Sequence, residues 1–434
     1  MKEREPRLPA FRYRDFRLLW FGEMVSSVGS QMQLFAINWH IFSLLRDQTF
    51  VVILLGRQFE LNSDALGLGM LGLVRVLPIV MFALIGGVLA DALDRRTLMV
   101  WTRIVAAILA AILTVMTLSG NISVNTIFLL TALGTAAVAF DQPARQSIVP
   151  NLVNPEHLTN AVSLNTLMFQ VGSITGPALA GILVAKFNIG IVYGINTLTF
   201  LVAIVAIILI RHRGKMQSST GIGWAALVEG FRFTRGTRII WGTMLLDFFA
   251  TLFSSARTML PIVAADILKV GVSGYGLLAT AQPIGSLLVG FVLAFRRDIR
   301  RQGMVLLVSV GVYGFATALF GLSTNYTLSY ILFALTGAGD TISTVVRGTI
   351  RQIMTPDHLR GRMVSINMMF FMGGPQLGEL EAGLVAAALG APFAIFTGGI
   401  ATMLLTGWVA WRFPSILRYS NEKEMQAQKS AASP

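Results

Sequence analysis

Gly172-Ser173-Ile174-Thr175-Gly176-Pro177-Ala178-Leu179-Ala180-Gly181 recurs 202 residues further on as Gly374-Pro375-Gln376-Leu377-Gly378-Glu379-Leu380-Glu381-Ala382-Gly383. The glycines fall in register: Gly172 with Gly374, Gly176 with Gly378, Gly181 with Gly383. Pro177 and Leu179 of the first copy are replaced by Glu379 and Glu381 in the second. Small residues at intervals of four let helices approach closely inside a bilayer. A glycine-rich apolar helix repeated at half the chain's length, with acids in one copy only, predicts a transporter built from two related bundles.

Composition supports that reading. Of the 434 residues, 54% are hydrophobic and 13% charged, about half the charge of an average soluble domain, and mean hydropathy is +0.70. The chain contains no cysteine, which excludes disulfides, thiol nucleophiles and cysteine metal sites. His40, His157, His212 and His358 are scattered without partners at ligand spacing, so neither a metal nor a cofactor is expected. A net charge of +13 reads as cytoplasmic lysine and arginine rather than as a nucleic-acid surface.

Spanning a bilayer takes about 20 apolar residues. Twelve such segments are expected, at 18–44, 65–90, 98–119, 126–146, 160–185 and 189–210, then at 239–265, 272–295, 303–323, 327–348, 363–389 and 391–411. The predicted fold is therefore an all-α integral membrane protein, with twelve transmembrane helices in two pseudo-symmetric six-helix halves. The halves occupy 18–210 and 239–412, flanked by an N-terminal arm (1–17), a polar linker (211–238) and a tail (413–434). The arm, the intervening segments on the same side and the chain after residue 411 carry 28 of the 34 lysines and arginines. Both termini are accordingly expected inside, in a multi-pass protein of the bacterial cytoplasmic membrane. Further matches between the halves, such as Ser163-Leu-Asn165 with Ser365-Ile-Asn367 and Phe169 with Phe371, imply parallel repeats about an axis normal to the membrane.

Between the second and third segments the chain reads Gly87-Val88-Leu89-Ala90-Asp91-Ala92-Leu93-Asp94-Arg95-Arg96. This resembles the hallmark loop of the major facilitator superfamily, GxLaDrxGrrx. Asp94 in place of the usual glycine, with Tyr13-Arg-Asp-Phe-Arg17, Pro143-Ala-Arg-Gln146 and Gly230-Phe-Arg-Phe233, is similar to the drug and siderophore efflux branch that includes the enterobactin exporter and the macrolide efflux pumps. Ala92 departs from the basic residue usual there. The resemblance implies a cytoplasmic latch of Gly87, Asp91, Arg95 and Arg96, with Asp141 near the inner end of the fourth helix. The opening stretch, with Gly172, Gly176, Pro177 and Gly181, is similar to the superfamily's antiporter motif, and implies efflux against inward proton flow. Ordinary close packing around a proline kink accounts for the same residues.

Ionisable groups inside spanning segments are costly and rarely incidental. Asp340, in Gly337-Ala-Gly339-Asp340, lies near the midplane of the tenth segment, which lines the cavity in this family by resemblance. It is the first choice for a protonatable site, followed by Glu379, Glu381 and Asp247. Glu23 is either structural or reaches the interface. Arg75 and Arg257 are the expected buried charge partners, Arg75 for one of the helix 11 glutamates. Gln31, Asn38, Asn165, Gln170, Asn367 and Gln376 are candidate cavity groups, and Met368-Met-Phe-Phe-Met372 adds adaptable apolar surface. One segment, Thr49-Phe-Val-Val-Ile-Leu-Leu-Gly-Arg-Gln-Phe-Glu60, stands where the branch has a short turn. It is too short to span and either lengthens the first helix or caps the outer face.

The expected function is export of an amphipathic small molecule, drug-like or siderophore-like, by alternating access and proton antiport. Movement of lysophospholipids or other lipids is the alternative on the same fold. A membrane receptor or enzyme finds no catalytic set or appended domain here, and no GxxxxGKS loop is present to power a pump. The expected partners are the substrate, protons and the lipid bilayer, with no nucleic acid, for a monomer.

Overall fold

The computed structural model describes residues 8–54, 57–92, 94–211, 224–295, 299–356 and 359–420, without the side chains of 52–54, 57, 59, 83–92, 224–227, 360, 361, 364, 365, 369 and 372. Twelve long helices dominate it: α1 (Arg14–Leu45), α2 (Ser63–Ala92), α3 (Arg95–Leu118), α4 (Val124–Leu152), α5 (Leu158–Lys186) and α6 (Ile189–Ile208), then α7 (Arg238–Phe253), α8 (Gly271–Phe295), α9 (Gln302–Leu322), α10 (Tyr326–Met354), α11 (Arg360–Leu389) and α12 (Ala391–Arg412). Nine of them, and the broken span Arg238–Ile267 that begins with α7, are long and apolar enough to cross a bilayer. The other two, α1 and α11, are of spanning length, but their apolar character is diluted by Glu23, Gln31, Gln33 and Asn38 in one and by Glu379 and Glu381 in the other.

The helices are built inside out relative to a soluble bundle. Leu198, Leu201, Val202, Val205 and Ile208 of α6 are exposed, whereas Tyr193, Asn196, Thr199 and Ala203 are buried. Lipid removes the penalty for the exposed stripe, and the polar residues turn inward to find partners. Asn196 Nδ2 donates to Gln33 Oε1 of α1 at 2.7 Å, and Thr199 Oγ1 donates to Asn196 Oδ1 at 2.9 Å.

Three local features differ from the expectation. The segment after α1 is a β-hairpin: β1 (Thr49–Leu54) pairs antiparallel with β2 (Arg57–Asn62), Thr49 opposite Asn62 and Leu54 opposite Arg57. Helix α1 is therefore not lengthened. The run Thr-Phe-Val-Val-Ile-Leu is β-branched and aromatic and suits a strand, and β2 packs on α11. The seventh span is broken: α7 stops at Phe253, and a 3₁₀ turn, Ala256–Met259, a short helix and a π turn, Val263–Ile267, carry the chain on. Tyr313 donates to the Ser254 carbonyl at 3.1 Å and Ser254 Oγ meets Thr402 Oγ1 at 2.7 Å, so the backbone freed by the break finds a partner inside the protein. Finally, the linker contains a helix, Trp224–Gly236, which packs on α11.

The chain divides into two compact units, 1–44 with 74–221 and 271–280, and 45–73 with 222–270 and 281–434. Within each, the repeated glycine stretch plays the same part. In the first, Cβ atoms added at Gly172 and Gly176 would lie 2.6 Å from Ser27 Oγ and 2.5 Å from Gln31 Cβ of α1, and one at Gly181 would lie 2.9 Å from the Gly276 Cα of α8. In the second, a Cβ at Gly374 would lie 2.6 Å from Thr251 Oγ1 of α7, and one at Gly69 of α2 would lie 2.7 Å from the Gly383 Cα. The sequence repeat is thus a repeat of helix crossings: α5 on α1 and α8, α11 on α7 and α2. Because the obstacle is backbone, Gly383→Leu is expected to cost the upper end of the roughly 1–3 kcal/mol typical of overpacking. Thermal unfolding in detergent checks this, with Gly134→Ala as the control, since nothing lies within 4 Å of a Cβ there. Equal stability of the two variants would refute the crossing.

Candidate functional site: two buried ion clusters

Each unit holds a cluster of charges inside its helices. In the first, Glu23 of α1, Arg103 of α3 and Asp141 of α4 are buried, at 3, 9 and 6% exposure. Arg103 Nη2 donates to Glu23 Oε2 at 2.8 Å and to Asp141 Oδ2 at 2.9 Å, while Nη1 reaches Ser26 Oγ at 3.2 Å. Arg145 Nη1 donates to Glu23 Oε2 at 3.1 Å, and Thr102 Oγ1 to Asp141 Oδ1 at 2.9 Å. Two carboxylates face two guanidinium groups, so the charge balances and most lone pairs are met. Burial of ions is tolerable only under those conditions.

In the second unit Asp247 of α7 faces Arg347 and Arg351 of α10. Arg347 Nη1 lies 2.8 Å from Asp247 Oδ1, but Arg351 Nη2 stands 3.8 Å from Asp247 Oδ2. Arg347 Nη2 donates to Thr344 Oγ1 at 3.0 Å, and Arg351 Nη1 donates to Asn367 Oδ1 of α11. Asp340 is half-buried on the same helix, within electrostatic range of Arg347 and Asp247.

The two clusters are related by the repeat. Ser27 and Gln31 of α1 meet Gly172 and Gly176 as Thr251 of α7 and Ser255 just beyond its end meet Gly374 and Gly378. One turn before Ser27 stands Glu23, and one turn before Thr251 stands Asp247. Each acid pairs with an arginine of the fourth helix of its half, Arg145 or Arg347. Four residues before that arginine the halves part: Asp141 in one, Ser343 in the other.

Comparison with known proteins agrees with this architecture. A family model described as transmembrane secretion effector matches residues 6–434. The chain belongs to the transmembrane secretion effector family of the major facilitator superfamily. It is 27% identical over 331 residues to the enterobactin exporter EntS of Salmonella choleraesuis, covering 75% of this chain and 80% of that protein. It is 24% identical over 394 residues to the staphyloferrin A transporter of Staphylococcus aureus, covering 90% and 92%. Among solved structures, a bacterial homologue of the human lysosomal transporter Spinster aligns with a TM-score of 0.68 and 14% identity, over 94% of this chain and 98% of that one. A POT family transporter aligns with a TM-score of 0.72 and 12% identity, over 93% and 97%. These likenesses establish the major facilitator fold, and the protein is a multi-pass membrane transporter.

The residues expected to form the latch make their described contacts inside the first unit. Gly87 and Asp91 lie in α2, but their side chains are outside the described residues. Arg95 Nη1 donates to the Ser147 carbonyl of α4 at 3.0 Å. Arg96 donates to the Ile207 carbonyl at 3.1 Å and to that of Ile208, capping the negative end of α6. Asp141, expected near the latch, is bonded to Arg103 and Thr102 (above). The helix 5 motif residues are packing contacts, with Pro177 inside α5.

The other candidates separate by environment. Arg75 Nη2 donates to Asn38 Oδ1 at 3.2 Å. A Cβ at Gly72 would lie 2.7 Å from Glu379 Cβ, so α2 and α11 meet at that glutamate; Glu381 is half-buried two residues on. Arg257, expected as a buried partner, is exposed in the 3₁₀ turn of the broken span, because α7 ends before reaching it. Gln31 and Gln376 each present a buried side-chain carbonyl with no hydrogen-bond donor among the described residues. Asn165 and Gln170 are half-buried on α5. Sequence reasoning overlooked Arg103, Arg145, Arg347 and Arg351 as site residues, counting them only as cytoplasmic charge. The available signal was their depth: Arg103 sits eight residues inside α3, and Arg347 and Arg351 share a face of α10 at a spacing of four.

Proposed function

We propose that this protein exports an anionic, siderophore-like small molecule by alternating access, exchanging it for protons that enter through the C-terminal half. The observation that carries the substrate class is that two relatives, from two bacterial genera, are a siderophore exporter and a siderophore transporter. The proton route is read from Asp340. A half-buried carboxylate beside the Arg347–Asp247 pair can gain and lose a proton without dismantling an ion pair of its own, since among the described residues no ion pair holds it. Glu379 and Glu381 are the reserve candidates, and the motif around Pro177 supports antiport. Both termini lie on the cytoplasmic side in this reading, which puts both ion clusters toward that side.

Expression in a host lacking its own siderophore exporters tests the proposal. Secreted enterobactin or staphyloferrin A is expected to rise at least severalfold over the empty vector. Secretion at the vector level for both, with the protein present in the membrane, would rule out that substrate class.

A further inference from the structure

Among the described residues, α10 has the largest share of buried polar side-chain atoms without a hydrogen-bond partner. Ser343, Arg347 and Arg351 fall at a spacing of four and so lie in one column along the helix. They are 1, 3 and 6% exposed. Ser343 Oγ, Arg347 Nε, Arg351 Nε and Arg351 Nη2 are all buried without a hydrogen-bond partner among the described residues. Asp247 serves Arg347 closely but stands 3.8 Å from Arg351 Nη2, beyond hydrogen-bonding distance. The first unit, whose two arginines come from α3 and α4, has a second acid in direct contact. There Asp141 stands four residues before Arg145 and takes a hydrogen bond from Arg103 Nη2 at 2.9 Å. Ser343 holds that position in α10 and brings neither the charge nor the reach of an aspartate.

We infer that Ser343, Arg347 and Arg351 form a subsite for a carboxylate group of the transported molecule. The carboxylate takes in the C-terminal half the role that Asp141 plays in the N-terminal half. Two guanidinium groups with free N–H donors on one face suit a planar, two-oxygen acceptor, and Ser343 Oγ adds a hydroxyl donor at one end of the column. Access is provided on the side of Thr344, which is exposed and bonded to Arg347, and of Asn367, which is half-buried and bonded to Arg351. Asp340 lies seven residues before Arg347, and its negative charge opposes the incoming anion; its protonation removes that repulsion. The inference rests on the export reading for the identity of the cargo, but binding by the purified protein does not depend on transport.

Thermal unfolding of the purified full-length protein, with citrate as the probe and sodium chloride at matched ionic strength as the control, tests the subsite. A ligand that binds only the folded state raises the unfolding temperature with concentration. Citrate is expected to raise that of the wild type by several degrees beyond the chloride control. Ser343→Asp supplies the missing carboxylate internally, so it is expected to unfold at a higher temperature than the wild type without citrate and to lose most of the citrate shift. Ser343→Asn, matched in size but uncharged, is expected to show no such intrinsic gain. The absence of any wild-type shift beyond chloride would overturn the subsite, as would a full citrate shift in Ser343→Asp. Neither result bears on whether enterobactin or staphyloferrin A is secreted by cells, so the two readings fail separately.

Discussion

Replacing Arg103 with methionine is expected to destabilise the folded protein by about 3–5 kcal/mol, the usual cost of leaving buried charge without its partner. Arg103 is the hub of the first cluster: one Nη2 reaches both Glu23 and Asp141. Without it, Glu23 keeps Arg145 at 3.1 Å, but among the described residues the Thr102 hydroxyl is the one hydrogen-bond donor left to Asp141. Methionine approximates the volume, so the loss reports charge rather than a cavity. Adding Asp141→Asn to Arg103→Met removes the stranded charge, and the double variant is expected to recover part of the loss. Unfolding in detergent measures both. A single variant as stable as the wild type, or a double variant worse than the sum of its parts, would show that the cluster does not bind these helices together.

Asp340→Asn is expected to abolish substrate accumulation driven by a proton gradient while leaving the protein folded. Asparagine preserves the size and the hydrogen bonding of the neutral acid but cannot exchange a proton. Because Asp340 makes no ion pair among the described residues, its neutralisation leaves the Arg347–Asp247 pair intact. The stake is large: one charge crossing 100 mV is worth about 2.3 kcal/mol, or roughly fiftyfold in concentration at 1.4 kcal/mol per factor of ten. Downhill exchange of substrate across the membrane is expected to survive, since the helix crossings are untouched. Asp247→Asn separates coupling from packing. It strips Arg347 of its partner and is expected to lower stability as well as flux. If Asp340→Asn accumulates substrate as the wild type does, the proton route lies elsewhere, with Glu381 next in line.

What could be read from the chain alone was whatever depends on local pattern. The spans follow from runs of about 20 apolar residues, and the repeat of Gly172, Gly176 and Gly181 correctly marks equivalent helices because backbone contact leaves no freedom in residue type. The hairpin was harder. Six-residue apolar runs do not declare strand or helix, and register needs both strands at once. The break after Phe253 was also hidden, since the Ser254 carbonyl is met by Tyr313 and the Ser254 hydroxyl by Thr402, which lie 59 and 148 residues downstream. The ion clusters were the least legible part. A lysine or arginine near a helix end looks the same in sequence whether it marks the cytoplasmic side or holds two buried acids on other helices. Only the meeting of α1, α3 and α4 separates Arg103 from the arginines around it.

We propose that an inward proton gradient, acting in the C-terminal half, drives export of a siderophore-like anion. The most direct test is uptake of enterobactin and staphyloferrin A into inside-out proteoliposomes of the wild-type protein, with an imposed pH gradient of either sign or none. At least one of the two is expected to accumulate above equilibrium when the lumen is acid, to be driven out by the gradient of opposite sign, and to stop accumulating when a protonophore collapses the gradient. Uptake that merely equilibrates, at the same rate whatever the gradient, would contradict it.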